Sequence, residues 1–164
     1  MSDQRAWIGL GSNLDDPLDH VVRALQEIDR LPLTRRLVAS SCYKSRPVGP
    51  ADQPDFINAV AMVATRLSPL ALLDQLQAVE QRHGRVRQRH WGPRTLDLDL
   101  LLFDDYRLTW PRLTLPHPEL AYRAFVLLPL ADVAPELRLP DGRSVARLAA
   151  ALGDHGVSPM LPGA

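Results

Sequence analysis

Apolar positions along the chain recur in two rhythms, alternation and a 3.6-residue period, and these divide it into strands and helices. Residues 5–10 read as a short first strand ending at Gly11-Ser12-Asn13. Val21, Val22, Leu25 and Ile28 share one helical face behind Asp15, Asp16 and Pro17, a capping and first-turn arrangement, and Pro32 closes that helix. β-favouring residues return at 34–43, and again at 56–65 (FINAVAMVAT), where Asn58 is the notable polar interruption. Ser68-Pro69 opens a second helix, with Leu70, Leu73, Leu76 and Val79 on one face and Gly84 just past its end. A further strand spans 96–103. An extended region follows at 108–115, then an apolar run at 121–130 that starts as helix, an Asp141-Gly142 turn and a helix over 144–152. The tail, 153–164, is expected to be poorly anchored.

Strand, helix, strand, strand, helix, strand is the split βαβ order, so the fold class expected is α+β, ferredoxin-like (βαββαβ). It predicts one domain over 1–164, with an antiparallel sheet and helices packed on one face. The segment 44–54 holds three prolines and a glycine, and a second long connection runs from Gly84 to Pro93. Loops of that length in a compact domain usually serve function. Both are expected to be mobile in the empty protein and to close over ligand.

The stretch 85–103, RVRQRHWGPRTLDLDLLLF, concentrates the chemistry. Alternation puts Asp97 and Asp99 side by side on one face of the last strand, roughly 6.6 Å apart, with Leu98 and Leu100 on the other. Two carboxylates in an otherwise apolar element are costly unless a cation lies beside them. Oxygen ligands that leave positions for water and phosphate suit Mg²⁺. Just upstream lie Arg82, Arg85, Arg87, Arg89 and Arg94, with His83 and His90 and no acid among them. Guanidinium forks match phosphate oxygens, so a metal-bound polyphosphate is the ligand these residues suggest. By itself the pair of acids is equally compatible with a solvated strand edge, and the arginines with a loop that binds nothing.

Net charge is zero, so attraction of the whole molecule to nucleic acid or membrane is not expected. The single Cys42 excludes an intramolecular disulfide framework and fits a reducing cytosol. No run approaches the roughly 20 apolar residues of a membrane span and the N-terminus lacks a signal peptide's apolar stretch, so a cytoplasmic location is expected. Gly9-Leu10-Gly11 starts like a dinucleotide fingerprint, but Leu14 occupies the third glycine's place and the reading is rejected. An RNA-binding module is the alternative from another class, since such sheets can bind RNA through exposed aromatics. Zero net charge and only three each of Phe, Trp and Tyr count against it.

Three segments, 45–58 (SRPVGPADQPDFIN), 85–103 and 113–129 (LTLPHPELAYRAFVLLP), resemble the 6-hydroxymethyl-7,8-dihydropterin pyrophosphokinase family of folate synthesis. The likeness runs from GLGSN at Gly9 to the turn at Asp141, and WGPRTLDLD at 91–99 is its most specific signature. The resemblance implies a ferredoxin-like fold and transfer of the β,γ-pyrophosphoryl group of ATP to the pterin hydroxymethyl group. It implies that Asp97 and Asp99 hold two Mg²⁺ ions, with Arg85 and Arg94 beside them as catalytic residues. Arg87, Trp91, Arg112, His117 and Arg123 would join those arginines on ATP, helped by Gln77, Glu80 and Thr114. The pterin would stack between Phe56 and Phe125 and pair with Asn58, while Ser45, Val48 and Trp91 line its pocket. Small-molecule substrates and a monomer are expected, with no nucleic acid and no membrane. The chain departs from the family pattern at His90, where an arginine is usual, at Phe56, where some members have Tyr, and at Pro118, likewise Tyr in some.

Overall fold

The strand β1 (Gln4–Ser12) carries small or apolar, buried side chains on both faces from Ala6 onward, which suits a strand covered above and below. It pairs antiparallel with β4 (Phe56–Thr65) along its whole length and, on its other edge, with β5 (Asp97–Phe103). The computed structural model that shows this describes residues 3–46, 54–84 and 95–160. Beyond β4 lie β2 (Thr34–Ala39) and β3 (Tyr43–Ser45), both paired with it, then β8 (Ser158–Pro159) on β3. A separate hairpin joins β6 (Leu108–Trp110) to β7 (Leu113–Leu115).

The strand expected over 34–43 is thus two strands end to end. Between the pairs Ala39↔Ala61 and Tyr43↔Asn58 the chain holds one residue more than β4 does. Ser40 absorbs the mismatch, its backbone donating to the Val60 carbonyl at 2.8 Å and its hydroxyl accepting from the Val60 N–H at 2.9 Å.

The helices α1 (Pro17–Ile28) and α2 (Pro69–Arg82) lie on one face of the sheet. Val21, Ala24, Ile28, Leu72, Leu76 and Val79 of these helices pack against Ala6, Ile8, Ile57, Ala59, Leu98 and Leu100. Each fully buried Leu or Ile contributes about 1.5–3 kcal/mol. The expectation of helices on one face alone is corrected by a second core. There α3 (Ala124–Val133) and α4 (Val145–Leu152) cover Trp7, Val60 and Leu102 on the opposite side. The cause is the composition of α3, whose run AFVLLPLADV is apolar nearly all round and needs burial on several sides.

Smaller differences have local causes. Ser68 caps α2 by accepting from the Ala71 N–H at 3.2 Å, as expected of it. Asp16 makes no such bond: its backbone is left-handed at φ 65°, not the extended conformation of a side-chain cap. The helix expected from 121 begins at Ala124, after a short 3₁₀ turn at Leu120–Tyr122, because Arg123 is extended (φ −114°, ψ 108°). The tail is anchored as far as Met160, contrary to expectation. Val157 is buried, β8 pairs with β3, and the Met160 N–H reaches the Cys42 carbonyl at 2.9 Å. Among the described residues no helix is long and apolar enough to cross a membrane.

A buried polar clasp ties α1 to α2. His20 Nδ1 and His83 Nδ1 are 2.7 Å apart, His83 Nε2 bonds Glu27, and Arg23 Nη2 lies 3.2 Å from His20 Nδ1. The Arg23 guanidinium can only donate, so His20 Nδ1 is an acceptor in this cluster. Burial, then the neighbouring His83 and Arg23, holds the His20 pKa below its ordinary 6.5, while Asp19 and Asp15 pull it up. A depressed histidine pKa means that the unfolded chain binds the extra proton first, so this contribution is complete above about 6.5 and is lost as pH falls from there toward the folded-state value. Urea denaturation should therefore give a lower folding free energy at pH 5.5 than at pH 7.5, and the difference should shrink in His20→Gln.

Candidate active site

The register of β1 against β5 sets Gly11 opposite Asp97 and Gly9 opposite Asp99, with Leu10 opposite Leu98 between them. Both aspartates consequently share the upper face, toward α3, while Leu98 and Leu100 point into the lower core. A bulge at Leu101, where Trp7 pairs with Leu102 and Ile8 with Leu100, shifts the alternation so that Leu101 and Leu102 both pack upward. The two glycines leave the sheet bare beside the carboxylates. The result is a cavity of about 840 Å³ floored by Gly9, Gly11, Phe56 and Asn58, with Asp97 and Asp99 at one end. A Cβ on Gly11 would lie 3.0 Å from Asn58 Nδ2, so only glycine lets that amide sit over the strand.

At the aspartate end, Arg123 Nη1 stands 3.5 Å from Asp99 Oδ2, and Nη2 is ion-paired with Glu119. The same guanidinium lies 5.5 Å from the centre of the Phe125 ring. His117 hangs from β5 through its backbone N–H to the Leu101 carbonyl, at 2.9 Å. Its Nδ1 accepts from the Glu119 N–H at 3.2 Å, which leaves Nε2 to carry the proton of the neutral ring. Burial is the main cause of its lowered pKa, with Arg123 acting the same way and Asp99 and Glu119 opposing.

The other end is apolar and amide-lined. Asn58 is buried and its Oδ1 accepts from the Ser45 hydroxyl at 2.5 Å, so Nδ2 is the group presented beside Gly11. Phe56 and Phe125, both half-buried, line the same space. Tyr43, Ala124 and Val157 form a small core against which Phe125 rests.

Of the residues expected at a nucleotide or metal, eight are described, and only half of them meet at the cavity. Asp97, Asp99, His117 and Arg123 line the cavity. Gln77 and Arg112 bond each other at 3.3 Å away from it, with Arg112 also paired to Asp74, and Thr114 lies in the β6–β7 hairpin opposite Thr109. Glu80 is buried beneath the sheet, where its Oε2 accepts from the Leu98 N–H at 2.8 Å and so fixes β5 itself. Val48, Arg85, Arg87, Arg89, His90, Trp91 and Arg94 lie outside the described residues, as do the segments of both loops expected to close. Sequence patterns missed Glu119, Tyr122, His155 and Val157, which also line the cavity. An exposed Tyr and a His between Asp and Gly carry no periodic signal.

The donor set suits a hard cation. Among the described residues no three His, Cys, Asp or Glu side chains converge as a metal-binding group. Two carboxylates on one open face are what Mg²⁺ takes when water and phosphate complete its shell.

The solved structures share this architecture. HPPK-DHPS of Plasmodium falciparum, crystallised with pteroate, superposes with a TM-score of 0.72 over 91% of the chain at 14% identity. The chain spans 42% of that longer protein, and the likeness defines a ferredoxin-like α+β fold. Full-length relatives are much more similar in sequence. The 2-amino-4-hydroxy-6-hydroxymethyldihydropteridine pyrophosphokinase of Pseudomonas aeruginosa is 55% identical over 98% of this chain and 99% of its own. That of Haemophilus influenzae is 46% identical over 96% and 98%. The family model for 7,8-dihydro-6-hydroxymethylpterin-pyrophosphokinase matches residues 7–135, ending before α4 and β8. The chain belongs to that pyrophosphokinase family.

The close approach at Gly11 is directly testable. Gly11→Ala should push Asn58 off Ser45 and cost ~1–2 kcal/mol, the usual price of overpacking, lowering the melting temperature by several degrees. Differential scanning calorimetry measures it, and because Gly11 is not in a left-handed conformation the loss reports the clash alone.

Proposed function

We propose that the cavity is where the β,γ-pyrophosphoryl group of ATP passes to the hydroxymethyl group of 6-hydroxymethyl-7,8-dihydropterin, leaving AMP, in folate biosynthesis. The observation that carries this reading is one cavity lined both by a carboxylate pair with a guanidinium and by a buried amide with two phenylalanines. An aromatic pair clamps a flat heterocycle, and a fixed amide reads its donor–acceptor edge. Phosphoryl-type transfer needs alignment and neutralised charge more than covalent help from the protein.

In this reading Asp97 and Asp99 hold two Mg²⁺ ions. Bound there, the metal neutralises phosphate charge and brings the attacking hydroxyl and polyphosphate into line. Arg123, kept in place by Glu119, Asp99 and the Phe125 ring, turns a guanidinium on the transferred group. His117 donates from Nε2 to a phosphate oxygen. Glu80 acts at one remove, holding the β5 backbone so that its aspartates keep their spacing. Arg85, Arg87, Arg94 and Arg112 grip phosphate or ribose, and Gln77, Thr114 and Trp91 complete the nucleotide's surroundings. Phe56 and Phe125 sandwich the pterin, Asn58 pairs with its edge through the amide that Ser45 orients, and Val48 and Trp91 close the pocket. The protein works as a monomer in the cytoplasm.

Incubation with ATP, Mg²⁺ and the pterin should yield AMP and the pterin diphosphate in equal amounts, read by chromatography. Asp97→Asn and Asp99→Asn should each lower turnover at least ~100-fold, the scale of losing one electrostatic stabiliser. Both variants should still unfold cooperatively with melting temperatures within a few degrees of wild type, since each exchange keeps the side-chain shape and trades like-charge repulsion against a lost ionic contact. Substantial turnover in both variants, or release of ADP in place of AMP, would overturn the reading.

A further inference from the structure

The chain between α4 and β8 runs back to the cavity after the fold is otherwise complete. We infer that this strap, residues 153–160, is the end wall of the acceptor pocket, and that His155 on it contacts the acceptor and helps select it. The inference rests on the reading of the cavity given under the proposed function.

Position supports it first. Sheet order is β5, β1, β4, β3, β8, so β8 lies four strand spacings, roughly 19 Å, from the strand of Asp97 and Asp99. The strap thus leads into the strand beside β3, which carries Ser45, on the side of the sheet away from β5. His155 and Val157 line the cavity, as does Leu152 at the end of α4.

The strap is also built into the walls that the acceptor would touch. Val157 is 7% exposed and shares a small core with Tyr43 and Ala124, on which Phe125 packs. The Val157 N–H reaches the Asp154 carbonyl at 2.8 Å, and the Gly156 N–H reaches the Asp154 carboxylate at 3.0 Å. These bonds close a tight turn that holds His155 at φ 48° and Gly156 at φ 81°. Arg46 lies across this turn, its Cδ and Nε 3.8 Å from where a Cβ of Gly156 would stand. The turn therefore brings an imidazole and a guanidinium together at the cavity's end, a pairing suited to the electron-rich carbonyl edge of a flat heterocycle. His155 itself is exposed, and among the described residues no hydrogen bond engages its ring, so its nitrogens are available to a ligand.

Steady-state kinetics separate this role from a structural one. With each substrate varied in turn, His155→Ala should raise the KM for the pterin about fivefold, the scale of one hydrogen bond, and leave the KM for ATP within about twofold. His155→Gln, which keeps a donor and an acceptor, should recover part of the loss. Fluorescence titration of the pterin in the presence of a non-hydrolysable ATP analogue should show the same weakening. An unchanged pterin KM, or an equal rise in both KM values, overturns the assignment of His155 while active wild-type protein leaves the proposed function standing. Wild-type protein that releases no AMP and binds no pterin overturns both.

Discussion

The pairing of a glycine-bearing strand with an aspartate-bearing one governs the rest of the molecule. Asp97 and Asp99 can share a face only because β5 keeps its alternation until Leu101, and they can open onto a cavity only because Gly11 and Gly9 stand opposite them. Bulkier residues on β1 would fill the space that the carboxylates look into. The same glycine floor lets Asn58 lean over β1, so one strand serves both ends of the cavity.

Among the described residues the aspartate end of the cavity sets one guanidinium, Arg123, against three carboxylates, Asp97, Asp99 and Glu119, so it stays acidic before any ligand arrives. Two carboxylates roughly 6.6 Å apart repel by ~0.6 kcal/mol in water and ~2.5 kcal/mol at the effective dielectric of a protein surface. That is a cost one neighbouring guanidinium can offset, and Arg123 stands beside Asp99. Glu119 in turn pairs with Arg123, and its backbone N–H sets the tautomer of His117. A phosphate entering here would exchange one set of anionic partners for another. Beneath the sheet Glu80 spends its charge on the β5 backbone, so a buried acid supports the strand from below while the exposed ones face the cavity.

Covering both faces of the sheet has a functional consequence. α1 and α2 close the lower core and leave the upper face to α3, α4 and the strap. Since the cavity is also on the upper face, the elements that complete the fold are the ones that wall the site. Arg123 shows the coupling: its extended backbone delays α3 by three residues and turns its side chain toward Asp99.

Much of this was legible in the residues alone. A run of β-favouring residues marks β4 to its bounds, and Ser68-Pro69 with Gly84 brackets α2, because propensity and caps are local signals that survive here. The shared face of Asp97 and Asp99 follows from strand geometry in the same way. The motif likeness brought Phe56, Asn58, His117, Phe125 and Arg123 together as a list, and the fold brings them to one cavity. Local patterns could not say that β2 breaks at Ser40, that α3 covers a second face, that Glu80 turns inward, or that the tail returns to pair with β3. Each depends on partners far away in the chain: an extra residue set against Val60, an upper sheet face needing cover, a Leu98 N–H needing an acceptor, a free edge of Tyr43 and Lys44. Sequence determines which face of an element is apolar and which carries charge; only the packed chain decides what that face meets, because long-range pairing is settled by shape and hydrogen-bond supply across the whole sheet.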